Sequence, residues 1–116
     1  MPPRDWRLRA NDILEAAERA QSYAKKLTFE QSVSDSRNVD AVSYAIVVIG
    51  EAAKSIPESV AAAAPEIPWT DIRGMRNRIA HDYFGIDLEV LWHTVVEDLP
   101  KLQSAFRALL ERSDLP

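Results

Sequence analysis

The stretch VDAVSYAIVVIGEAAKSI, Val39 to Ile56, sets Val42, Ile46, Ile49 and Ala53 at intervals of four, three and four residues. Side chains spaced this way stack on one face of a helix with 3.6 residues per turn. The spacing therefore predicts a long α-helix with that face buried. Its longest apolar run, within Ala41 to Gly50, is interrupted by Ser43 and is far too short to cross a membrane.

The same period extends outward on both sides. Ile13, Leu14, Ala17, Ala20, Ala24 and Leu27 form one stripe of a first helix from about Asp5 to about Lys26, with Asp5 as N-cap and two lysines near the negative end of the dipole. Thr28 followed by Gln31 fits a capping box and predicts a short helical turn to Val33. Ser34 to Asn38 is polar and reads as a loop. Pro57 opens a short helix through the alanine run to Ala64, since proline is tolerated in a first turn. Pro65 and Pro68 bracket a bend.

A third main helix is expected from near Trp69, with Ile72, Met75 and Ile79 inward, ending between Asp82 and Gly85. Asp87 caps a last helix from about Leu88 to Leu110, where Leu91, Val95, Leu99, Leu102, Phe106 and Leu109 face the core. Pro100 must kink or interrupt it. No stretch shows the sustained alternation of a strand. The expected architecture is all-α, a single domain over residues 1–116 folded as an up-and-down helical bundle with a kinked C-terminal helix.

Composition narrows the function. There are 116 residues and no cysteine, so one core must suffice without disulfides or thiolate zinc sites. His81 and His93 are not spaced as a metal pair, and neither a metal nor a cofactor is expected. The N-terminus lacks the apolar stretch of a secretory signal, so a cytoplasmic protein is expected. The net charge of −4 speaks against a sequence-blind nucleic-acid coat. Its arginines are nevertheless clustered: Arg4, Arg7 and Arg9 at one end, and Arg73, Arg76 and Arg78 within six residues. Arginine grips phosphate through a planar fork, so an acidic chain can still hold RNA locally. Equally, such arginines can be solvated helix faces.

Arg76-Asn77-Arg78-Ile79-Ala80-His81-Asp82-Tyr83 concentrates arginine, amide, imidazole, carboxylate and phenol in eight positions. RNA supplies its own nucleophile, the 2′-hydroxyl beside the phosphorus. A protein must then move protons near neutral pH, which suits His81, and stabilise charge on the phosphorane, which suits Arg76. On one straight helix these two would be about 140° apart, while Arg76 and Tyr83 nearly coincide and Asn77 and His81 share a face. Either the helix unwinds near His81, or two copies meet in a composite cleft. Glu51 is either an exposed acid paired with Lys54 or a buried partner for an arginine. Trp92 and His93 read as ordinary helix-face residues, and Tyr23 and Tyr44 as core or boundary residues.

Three stretches resemble the HepT-like family of HEPN proteins: Val48 to Lys54, Pro65 to Arg78, and His81 to Gly85. The likeness runs from Leu8 to about Leu109. The family pattern of an arginine, four to six residues and a histidine is matched by Arg76 and His81, and Tyr83 stands where the HepT subgroup has a tyrosine. Asp82 departs from the glycine or glutamate common there. The resemblance implies a dimeric, metal-independent endoribonuclease, the toxin half of a type VII-like toxin–antitoxin pair. It implies catalysis by Arg76 and His81, with Asn77, Asp82 and, in a supporting part, Glu51 lining the site, and Arg73 and Arg78 as RNA-binding candidates. It further implies a minimal nucleotidyltransferase partner that silences the toxin by transferring AMP to Tyr83. Two other readings use the same residues: a catalytically silent helical partner or regulatory subunit of a nucleotidyltransferase, and a regulator that holds a mononucleotide on its arginines.

Overall fold

The computed structural model describes residues 5–80 and 85–116. Helix α1 spans Trp6–Ala24 and α3 spans Ser36–Lys54, and these two make the most extensive helix pair in the molecule. Their contact faces explain why. Ala10, Ala16, Ala17 and Ala20 of α1 and Ala45, Ala52 and Ala53 of α3 are buried, and small side chains let helix axes approach closely. Ile13, Ile46 and Ile49 fill the seam and are fully buried, each stabilising the fold by about 1.5–3 kcal/mol. The face predicted for Val42, Ile46, Ile49 and Ala53 is thus the buried one.

The caps follow the chemistry of their residues. The Asp5 side chain accepts from the Arg7 amide at 2.9 Å. Thr28 and Gln31 form the expected capping box at the start of α2, Phe29–Ser34. The predicted loop from Ser34 to Asn38 is instead nearly absent: Asp35 accepts from the Arg37 amide at 3.0 Å and starts α3 at Ser36. One well-placed cap turned a polar stretch into the first turn of a helix. At the other end of α1, Lys25 and Lys26 lie past the last turn, and Lys26 has a positive φ of 65°.

Helix α4, Glu58–Ala62, begins after Pro57. The helix expected from Trp69 to beyond Asp82 is two short ones, α5 (Trp69–Arg73) and α6 (Met75–Ile79), broken at Gly74. Residue Ala80 is extended, at φ −109° and ψ 132°. It forms an isolated antiparallel bridge with Ile86, and the Asp87 amide donates to the Ile79 carbonyl at 2.6 Å. These contacts draw the chain out of helical geometry as soon as Ile79 has been buried. At Gly50 α5 packs closely on α3, where a Cβ would sit 3.4 Å from the Ile72 carbonyl oxygen.

The C-terminal helix is interrupted, as Pro100 requires. Asp87 caps α7, Leu88–His93; Thr94–Asp98 is π-helical; α8 runs Leu99–Leu110. A proline ring would press on the carbonyl four residues earlier, that of Val96, in an unbroken α-helix. The wider turn relieves that contact. The Thr94 hydroxyl donates to the Val90 carbonyl at 2.7 Å, a bond that itself bends helices. All six side chains expected inward, from Leu91 to Leu109, are buried. Near the chain end, the Trp6 indole and the Arg7 guanidinium donate to the Pro116 carbonyl at 2.7 and 2.6 Å. The Arg112 guanidinium, hydrogen-bonded to Asp114 at 2.7 Å, holds that carboxyl below its ordinary range. No described helix is long and apolar enough to cross a membrane.

Candidate active site

Helix α6 is only five residues long, and its two ends decide what it shows. Met75 and Ile79 are buried, while Arg76, Asn77 and Arg78 are all exposed. At 100° per residue the three exposed positions sweep an arc of about 200° around the helix. Among the described residues none of the three side chains is held in a hydrogen bond or ion pair. The molecule therefore presents two guanidinium groups and an amide with their donors unclaimed. Such groups are suited to phosphate oxygens.

Arg73, three residues before Arg76, behaves differently. Its Nε donates to the Ala53 carbonyl at 3.2 Å and its Nη2 to the Ile56 carbonyl at 3.4 Å. Its Nη1 lies 3.4 Å from Glu58, and the group sits over the Trp69 ring at 5.4 Å. These bonds close the C-terminal end of α3, whose last carbonyls have no partner within the helix. In this structure Arg73 holds the fold, with each of its three nitrogens already donating to the protein. Arg7 is similarly engaged with the chain end.

Glu51 resolves to the first of its two readings. It is exposed and pairs with Lys54 at 3.4 Å. It lines a shallow groove between α1 and α3 with Arg9, Asp12 and Tyr44, whose walls do not include Arg76 or Asn77. Tyr44, expected at the core or boundary, is 68% exposed, and Tyr23 also lies at the surface. Trp92 packs edge-on against Phe29 with ring centroids 6.1 Å apart.

His81, Asp82 and Tyr83 lie outside the described residues. The structure does bear on the geometry expected for them. Because α6 stops at Ile79 and Ala80 is extended, the helical register that would join Arg76 to Tyr83, or Asn77 to His81, does not carry past Ala80. The helix ends before the motif histidine, as the first alternative requires on the described side of it. The splay of Arg76 and His81 on a single helix thus ceases to be a reason for dimerisation.

One feature of this region was passed over in the sequence. A cavity of about 460 Å³ lies between α5–α6 and the π-helical turn, with an apolar floor that includes Ile67, Met75 and Leu102. Arg78, His93 and Lys101 stand at it together with Glu66, Asp71 and Asp98. His93, assigned no chemistry from its position on a helix, lies 3.8 Å from Asp98 here. Pro100 was the available signal. It announced a break in helical register, and a break changes which residues share a face.

The chain matches the family described as Ribonuclease HepT-like over residues 13–109. It is 42% identical over 98 residues to "Probable ribonuclease HepT" of Thermococcus cleftensis, covering 84% of this chain and 89% of that protein. It is 33% identical over 115 residues to "Putative RNase MJ1216" of Methanocaldococcus jannaschii, covering 96% and 92%. No solved structure matches it significantly.

Proposed function

Since the chain belongs to the HepT-like ribonuclease family, we propose that it is a metal-independent endoribonuclease of the HEPN type, acting through Arg76 and His81. The observation that carries this reading is the free arc of α6. Arg73, just before the motif, is engaged by the fold, while Arg76 stands exposed beside Asn77 with no partner among the described residues. An arginine kept unpartnered in this way can stabilise the charge that develops on a phosphorane. His81 takes the proton from the 2′-hydroxyl or delivers one to the leaving oxygen. The 2′-oxygen bonds to phosphorus, the 5′-oxygen of the next nucleotide leaves, and a 2′,3′-cyclic phosphate remains.

Among the described residues no three His, Asp or Glu side chains gather as metal ligands, and the mechanism written here calls on none. RNA cleavage should accordingly persist in excess EDTA and leave cyclic phosphate ends detectable by mass spectrometry. Activity lost on chelation and restored by magnesium would overturn this mechanism.

The toxin role, the homodimer, the cytoplasmic setting and the nucleotidyltransferase antitoxin complete the proposal and rest on the family likeness. An AMP group on Tyr83 would bring a phosphate to the motif and compete with RNA for its guanidinium groups. The phenol has no part in the proton transfers of this mechanism, which fall to His81. Tyr83→Phe should therefore keep most of its ribonuclease activity and escape silencing by the co-expressed nucleotidyltransferase. Mass spectrometry should place AMP on Tyr83 and on neither Tyr23 nor Tyr44. A Tyr83→Phe protein that is still fully silenced would show that the antitoxin merely covers the cleft.

A further inference from the structure

Arg76, Asn77 and Arg78 follow one another round α6, so a strand crossing the helix at Arg76 is led across Asn77 to Arg78. Arg78 stands at the cavity between α5–α6 and the π-helical turn. The far wall of that cavity owes its composition to the π turn. In an unbroken α-helix His93 and Lys101, eight residues apart, would point about 80° from one another. A π turn takes up one extra residue, which reduces the angle to about 20°, and both side chains line the same cavity.

The lining matches a nucleotide in two parts. Ile67, Pro68, Met75, Leu102 and Ala105 give an apolar floor for the face of a base. Arg78 and Lys101 supply cations for the phosphate beside it. The carboxylates of Glu66 and Asp71 are exposed and form no ion pair with those cations among the described residues. Carboxylates accept hydrogen bonds from exocyclic amino groups, which adenine, cytosine and guanine carry and uracil does not. Its size is within the range of small-ligand sites.

We propose that this cavity is a subsite for the nucleotide adjoining the scissile phosphate, and that it selects a base bearing an amino group over uracil. The proposal deepens the ribonuclease reading and rests on it for the placement of the scissile phosphate at Arg76. Single-stranded RNA is commonly read this way, with an unstacked base held on an apolar surface and recognised along its edge.

Fluorescence anisotropy with labelled 2′-O-methyl oligonucleotides tests binding without cleavage, because methylation removes the internal nucleophile. Oligo-A and oligo-C should bind about tenfold more tightly than oligo-U. Arg78→Ala and Lys101→Ala should each weaken all three by about tenfold and flatten the salt dependence. The double variant Glu66→Ala, Asp71→Ala, which removes both acceptors, should bind oligo-U at least as well as the unmodified protein and lose most of the preference. Arg19→Ala, on the exposed face of α1, serves as the control and should change nothing. Unchanged binding in the Arg78 and Lys101 variants, an equal loss in Arg19→Ala, or a preference that survives the double variant would each overturn the subsite. A parallel assay on unmodified RNA separates the two proposals. Cleavage with pocket variants that bind normally removes the subsite alone, whereas pocket-dependent binding without cleavage removes the ribonuclease reading and leaves the cavity as a base-selective nucleotide site with no scissile phosphate beside it.

Discussion

Arg76→Ala should lower the rate of RNA cleavage by about a hundredfold or more while leaving the helical circular dichroism and the melting temperature at their original values. The two halves of this result come from the same fact. Arg76 is exposed and has no partner among the described residues, so its removal leaves no buried group unsatisfied and exposes no core. What is lost is a positive charge with a forked set of donors at the place where phosphate charge grows during attack. His81→Ala should cost a comparable factor, because proton transfer by a positioned imidazole contributes about 10²–10⁴-fold. Lysine at 76 should recover only part of the rate, since a point charge replaces a planar fork. Arg73 is the wrong arginine for this comparison, because deleting it removes hydrogen bonds to the carbonyls of Ala53 and Ile56 and confuses stability with catalysis. A larger rate loss in His93→Ala than in His81→Ala would move the chemistry to the π turn and refute the assignment.

The largest loss of stability should come from Phe106→Ala. Phe106 is fully buried and meets Trp69 edge to face, with centroids 5.4 Å apart at 81°. Trp69 in turn donates from its indole to the Ala64 carbonyl at 2.9 Å and carries the Arg73 guanidinium on its ring. Removing the phenyl ring leaves a cavity and should cost about 3–5 kcal/mol, a fall in melting temperature on the order of 10 °C or more. The damage should not stay in the C-terminal helix. Trp69 is the first residue of α5, and α5 leads directly into α6, so the arc of Arg76 to Arg78 hangs from this stack. Cleavage measured well below the new melting temperature should fall as well, by a much smaller factor than in Arg76→Ala. A Phe106→Ala protein that melts within a few degrees of the original would mean that the neighbouring side chains close the void.

The long elements were legible because periodicity reports burial directly. Val42, Ile46, Ile49 and Ala53 on α3, and the six apolar positions from Leu91 to Leu109, are buried where their spacing put them. Local capping chemistry was readable wherever one side chain decides it, as at Asp5 and Thr28, and was missed at Asp35 because a polar run was given more weight than its cap. The motif region resisted for a different reason. Met75 and Ile79 continue the helical spacing of Ile72, so the pattern alone favours one helix. The break at Gly74 and the extended backbone at Ala80 are set by the bridge to Ile86 and by the Ile79–Asp87 hydrogen bond. Those are tertiary contacts that no local period encodes. The candidate site was visible as a cluster of unusual residue types, but which arginine is free and which is structural depended on the position of α3's end. His93 and Lys101 were invisible as neighbours because counting residues assumes a constant twist, and the π turn violates that assumption.

The π turn also has a consequence for how such chains can diverge. Loops usually absorb insertions and deletions, and a helix tolerates neither without turning every later side chain by about 100°. Here the helix holds one residue more than its rise requires. Loss of a single codon at Val96 would restore a regular twist with little change in length. His93 and Lys101 would then stand seven regular steps apart, again about 20° from one another, and Arg76, Asn77 and Arg78, carried on another helix, would keep their places. A lineage could thus gain or lose this one residue inside a helix without disturbing the wall of the cavity or the residues proposed to make the cut.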